Sequence, residues 1–230
     1  MKKLIFSAAL VLSLGLAACG DSESDKEVEN TASTTQENQT TEVTKEETKE
    51  AVKEDVPGEV TNGPLTKAGE WTMDGDNKVT LTKIKDVNEV YTLGPINLTI
   101  DSIKLLHHSK PTVDTVTYIQ EVHGKDISDG LSTIQVIYSV ENTTDDNIMF
   151  HAIKTLTTDT KTQIEGMYDM AQTTDSGTYM GEVIVEGLTI LPYFSGDLND
   201  INSINILTGD VWDNDNPTKL ADSQKITISF

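Results

Sequence analysis

The sequence predicts an all-β fold: an immunoglobulin-like β-sandwich over residues 67–230 of a 230-residue chain. Three observations predict it. From about Leu65 onward, apolar and polar residues alternate with period two, the spacing of half-buried strands. Clusters of Gly, Asp and Asn break that alternation at short intervals, as turns between strands do. No stretch shows an amphipathic helix of ten or more residues. Many short strands with alternating faces fit two packed antiparallel sheets, and a β-barrel is the rival arrangement of the same strands. All six Tyr, both Trp and three of the four Phe lie in this part. Its length, roughly 165 residues, is enough for one ordinary core.

The strands follow in order. Val79 and Leu81 alternate with Thr80 and Thr82. Ile96, Leu98 and Ile100 alternate with Asn97, Thr99 and Asp101, and Ile103 and Leu105 resume on the other parity, as a bulge at Asp101-Ser102 allows. Ile134, Val136, Tyr138 and Val140 form the clearest core face. Asn142 to Asn147 is a turn, and Ile148 to Leu156 reads as one returning strand. After the Asp159–Thr162 turn, strands are expected at Gln163–Tyr168, Glu182–Tyr193, Ser203–Leu207 and Lys225–Phe230. Tyr168, Met170, Tyr179 and Met180 flank a polar loop at 172–178, read as a long hairpin. The segment 106–130 receives no assignment.

Residues 19–66 read as a disordered acidic tether. Between residues 20 and 64 there are thirteen acids against four Lys, and no aromatic residue. Such a composition buries too little apolar surface to offset the entropy of ordering the chain. Glu42 to Asp55 carries i,i+4 charge spacings without an apolar stripe, so no stable helix is expected there. The functional reading is a spacer that holds a domain away from a surface, and the competing one is an acidic partner-binding tail.

Residues 1–18 read as a signal peptide. Lys2 and Lys3 precede a charge-free run from Leu4 to Leu16, followed by Ala17, Ala18 and Cys19. The run is short for a transmembrane helix, which needs about 20 apolar residues. Leu16-Ala17-Ala18-Cys19 resembles the bacterial lipoprotein cleavage box. That resemblance implies cleavage before Cys19 and a diacylglycerol, with fatty-acyl chains such as palmitate, on its thiol. Cys19 is the only cysteine, so an intramolecular disulfide is ruled out and no thiol remains as a nucleophile. The expected location is the extracytoplasmic face of the cell membrane, reached through the lipid.

Tyr91-Thr92-Leu93-Gly94-Pro95-Ile96-Asn97-Leu98-Thr99-Ile100, and Val136 to Ile148 with its strand–Asn–small polar–Asp–strand pattern, add a second likeness. Together with the cleavage box and the Thr/Glu-rich tether, they resemble Gram-positive extracellular lipoproteins that carry a telokin-like, immunogenic-antigen-like immunoglobulin domain. The resemblance covers roughly residues 78–230. It implies a fold and a location and supplies no catalytic residues.

Charge narrows the partners. The net charge is −21, all 17 bases are Lys, and the part after Leu65 alone carries 25 acids against 11 Lys. The acidity argues against sequence-independent nucleic-acid binding, since it needs Lys or Arg to displace counterions from phosphates. An envelope protein, a wall component or a small ligand remains as a partner. The residues show no G-x-S-x-G, H-E-x-x-H, phosphate loop or dinucleotide fingerprint, so no enzyme is expected. A hydrolase would need two carboxylates converging in a cleft.

Two metal readings are open. His107-His108 with His123, and Asp114 or Asp126 nearby, offer zinc or copper ligands, although adjacent histidines on a strand point to opposite faces. Asp74-Gly75-Asp76-Asn77 and Asp210 with Asp213-Asn214-Asp215-Asn216 are oxygen-rich loops, and Asp213 and Asp215 are the best calcium candidates. Neither loop matches a twelve-residue calcium loop, and Asp and Asn belong in turns for backbone reasons of their own. Trp71 and Trp212 either cap an end of the core or, if exposed, stack on a sugar or anchor a protein partner.

Overall fold

A computed structural model describes residues 58–171 and 176–230. The signal peptide, Cys19 and the tether up to residue 57 lie outside the described residues, as does 172–175 of the expected hairpin loop.

The fold is all-β, built from three antiparallel sheets. The first has five strands in the order β1 (Trp71–Asp74), β2 (Asn77–Leu93), β3 (Ile96–His108), β4 (Leu131–Asn142) and β9 (Val183–Tyr193). The second runs β13 (Lys225–Ser229), β10 (Ser203–Leu207), β6 (Thr155–Thr158) and β7 (Gln163–Glu165). The third runs β12 (Lys219–Ala221), β11 (Val211–Asp213), β5 (Asn147–Met149) and β8 (Thr178–Met180). One hydrophobic cluster joins all three. It takes Leu98, Ile100, Ile134, Val136 and Val140 from the large sheet, Leu156, Ile204 and Ile226 from the second, and Ile148, Tyr179 and Val211 from the third. The two small sheets thus pack on one face of the large one, a sandwich with a divided second layer.

The period-two reading holds where strands are half-buried. Ile134, Val136, Tyr138 and Val140 are all core residues, and the Ser203–Leu207 strand has the expected bounds. The bulge lies where parity changes: Ile100 faces Tyr138 and Ser102 faces Ile137, leaving Asp101 as the extra residue.

Five features differ from expectation. The flanks of the expected 172–178 hairpin do not pair with each other: β7 pairs with β6 and β8 with β5, in different sheets. Residues 113–123, in the unassigned segment, form helix α1 (Val113–His123). Thr112 caps its N-terminus by accepting from the Thr115 N–H at 3.2 Å, and Gly124 ends it in the left-handed region with φ 62°. Its β-branched residues Val113, Thr115, Val116, Thr117, Ile119 and Val122 are poor helix formers, which hides it from a propensity reading. Ile119 anchors it against Ile127 and Leu131.

The expected strand Ile148–Leu156 is two strands, β5 and β6, in different sheets. Between them Phe150, Ala152 and Ile153 are buried, so the crossing chain itself fills core. Gln163–Tyr168 is a strand only to Glu165, and Gly166–Tyr168 is a turn of 3-10 helix.

Residues 58–66, read as the end of the tether, pack on the sandwich. Glu59 bridges Trp71, Leu65 is buried with Leu81 and Leu106, and the Lys104 Nζ donates to the Leu65 carbonyl at 2.8 Å. Two apolar residues in a polar run, Val60 and Leu65, are a weak sequence signal, yet they anchor the segment.

Candidate functional site

The second and third sheets meet at a groove of about 500 Å³ lined by Met149, His151, Met167, Trp212, Lys154 and Asp210, among others. Local sequence explains how these side chains converge. Met149 and Trp212 are direct cross-strand partners between β5 and β11, so their Cβ atoms lie roughly 5 Å apart. Phe150 points into the core, and Met149 and His151 on either side of it are exposed, continuing the strand alternation. The Gly209 N–H donates to the His151 carbonyl at 2.8 Å, and Gly177 packs so close that a Cβ there would sit 2.6 Å from the imidazole.

Gly166 sets the opposite wall. Its N–H donates to the Lys154 carbonyl at 2.8 Å, and a Cβ would fall 1.9 Å from the Ile153 carbonyl oxygen. Only glycine permits that approach, and it carries the next residue, Met167, out over the groove with 81% of its surface exposed.

The rim is charged and mostly braced. Glu165 accepts from Gln163 Nε2 at 2.6 Å and Thr155 Oγ1 at 3.0 Å. Asp210 accepts from the Ser223 N–H at 2.8 Å. The His151 ring is exposed, and among the described residues no hydrogen bond to it is found. The groove therefore offers two thioethers, an imidazole and an indole face, with two carboxylates and one ammonium at its edge.

Residues singled out from sequence lie elsewhere, Trp212 and Asp210 excepted. His107 is exposed, whereas His108 points inward and lies 3.3 Å from Asn77 Nδ2 and 3.1 Å from Thr133 Oγ1. Burial, aided by His107, lowers the His108 pKa against the pull of Asp74. It lines a second cleft of about 350 Å³ with Asp74, Asp114 and Tyr118. His123 is held apart, its ring 4.8 Å from that of Tyr168 and 5.2 Å from that of Phe194. Burial lowers its pKa too, and its Nε2 has no hydrogen-bond partner among the described residues. Asp126 accepts from the Ser128 N–H at 2.9 Å. Among the described residues no group of three or more His, Cys, Asp or Glu converges.

Asp213 and Asp215 brace the β11–β12 turn. Asp213 accepts from the Asp215 and Asn216 N–H groups at 2.8 and 2.9 Å and from Asn216 Nδ2 at 3.1 Å. The Asn216 side chain, then these N–H groups, hold its carboxyl below the usual range. Asp215 accepts from Asn147 Nδ2 at 2.9 Å, tying the turn to β5. Asp74 and Asn77 close the β1–β2 hairpin, with Gly75 at φ 59°. Trp71 is half-buried, with Lys78 Nζ 4.2 Å from its ring centroid and Gly58 packed close to the indole. Sequence reasoning missed Met149, His151 and Met167. The M-x-H spacing was the available signal for two of them, and the Gly166 contact that presents the third is a tertiary event.

No protein-family profile matches the chain. Over 179 residues it is 28% identical to the uncharacterized protein YdhF of Bacillus subtilis (strain 168), an alignment spanning 72% of this chain and 74% of that protein. A crystal structure of a functionally unknown protein from Listeria monocytogenes EGD-e is similar over 66% of this chain and 86% of that one, with a TM-score of 0.47 and 16% identity. Among the described residues, no helix is long and apolar enough to cross a membrane.

Proposed function

We propose that this chain is a lipoprotein anchored through Cys19 on the extracytoplasmic face of the cell membrane, and that its sandwich is a non-enzymatic binding module. In this reading the acidic stretch 19–57 is a spacer, and the groove beside Trp212 holds a small ligand. The observation that carries the binding role is the groove itself. Its volume, about 500 Å³, lies within the roughly 300–1,000 Å³ of small-ligand sites. It presents apolar and aromatic side chains to solvent where a core has no use for them. The cleavage box Leu16-Ala17-Ala18-Cys19 supports the anchor. Two acyl chains hold a protein at a bilayer far better than one, each buried CH₂ contributing about 0.8 kcal/mol.

Cys19→Ala tests the anchor. The variant is expected in the medium, or retained only at the unprocessed size, when membrane and soluble fractions are compared by immunoblot. Membrane retention at the mature size would contradict the lipid anchor.

A further inference from the structure

The methionines are distributed in an unusual way. The described residues hold five, Met73, Met149, Met167, Met170 and Met180, and none is buried. Methionine is ordinarily a core residue. Two of these five line one groove, together with an exposed histidine and a half-buried indole.

We propose that the groove is a binding site for a soft monovalent metal ion of the Cu(I) class, with the thioethers of Met149 and Met167 and the imidazole of His151 as ligands and the indole of Trp212 as the aromatic wall. The proposal rests on the binding-module reading and names its ligand. Thioether sulfur is a neutral, polarizable donor that selects Cu(I) over harder ions, and imidazole serves copper as well. An indole face beside a cation adds a cation–π attraction. Met149 and His151 point to the same side because Phe150 between them is buried. Met167 comes from the opposite wall, fixed there by Gly166. The three rotatable bonds of each methionine let the sulfurs close on one ion.

The surroundings favour a cation and disfavour a hard one. Glu165 and Asp210 outnumber Lys154 at the rim. Both Glu165 oxygens already accept hydrogen bonds, as does one Asp210 oxygen, so a calcium ion finds few free oxygen donors. Cys19 is the only thiol in the chain, and in the proposed lipoprotein its sulfur carries the lipid. Soft-metal binding by this protein therefore falls to thioether sulfur.

The test uses the full chain carrying Cys19→Ser, which removes the competing thiol, and Trp71→Phe, which leaves Trp212 as the sole tryptophan. Ag(I), a redox-inert ion of the same class, is titrated in chloride-free buffer while tryptophan fluorescence and the melting temperature are followed. One equivalent is expected to quench Trp212 saturably and to raise the melting temperature, because an ion bound only by the native state stabilises it. Met149→Leu and Met167→Leu, at exposed positions, keep the fold and are each expected to weaken Ag(I) binding by at least about tenfold. Zn(II) and Ca(II) at the same concentration are expected to leave the fluorescence unchanged. Quenching that survives the double Met→Leu variant overturns the proposal. If Ag(I) has no effect but N-acetylglucosamine or a short cationic peptide quenches Trp212, the metal assignment fails and the binding groove stands. If none of these probes perturbs Trp212, the metal assignment fails and the groove loses its support as a binding site.

Discussion

Phe150→Ala is expected to destabilise the domain by about 3–5 kcal/mol, the usual range for emptying a buried aromatic site. Phe150 is fully buried in the main cluster, on the stretch that crosses from the third sheet to the second. Its ring therefore fills the seam where the divided layer meets the large sheet. Domains are typically stable by only about 5–15 kcal/mol, so this loss consumes a large share. Urea denaturation should show a lower midpoint with an unchanged slope. At this size each kcal/mol should lower the melting temperature by about 2–4 °C. A cost below about 1 kcal/mol would mean that the seam is not packed as described. The substitution should also loosen Met149 and His151, which Phe150 holds outward.

Gly166→Ala is expected to cost about 3 kcal/mol, near the top of the usual range for overpacking. The new methyl would meet the Ile153 carbonyl oxygen at 1.9 Å. The obstacle is backbone, so no side chain can swing away. The 3-10 turn must lift off, breaking the hydrogen bond from the Gly166 N–H to the Lys154 carbonyl and carrying Met167 away from the groove. Urea unfolding measures the cost, and in a Trp71→Phe background the emission maximum of Trp212 reports the displacement. A variant as stable as the parent, with unchanged emission, would remove Gly166 as the device that builds the groove wall.

What was legible in the sequence follows from burial. β4 shows its face because Ile134, Val136, Tyr138 and Val140 are buried while Gln135, Ile137 and Ser139 between them are only partly so. The bulge at Asp101 was legible because parity itself shifts. The second half of β2, Lys83 to Leu93, was not legible. Beyond β1 it pairs, among the described residues, only with β3, so its side chains are mostly polar or exposed, and Asn88 at φ 52° interrupts its register. Helix α1 was hidden by residues that prefer strands, and its caps at Thr112 and Gly124 were the better signal. The acidic loops were conspicuous in sequence. In the structure the Asp213 and Asp215 carboxylates accept bonds from Asn216 and Asn147 and brace a turn.

The groove was the least legible feature. It draws on β5, the segment after it, the 3-10 turn and β11, separated in sequence and joined only by the fold. Trp212 was singled out as either a core cap or a stacking residue, and it lines the groove while half-buried. Met167 carries no sequence signal at all, because its exposure depends on what Gly166 touches.

The central claim is that a lipid-anchored protein binds its ligand in this groove. Native mass spectrometry of the protein, extracted in mild detergent from the membranes of cells that express it, tests that claim most directly. The account predicts a mature chain beginning at lipid-modified Cys19, with an additional bound mass that is absent from Trp212→Ala and from the double Met149→Leu, Met167→Leu variant. A bound mass equally present in all three proteins, or a mature chain without any bound mass, would contradict it.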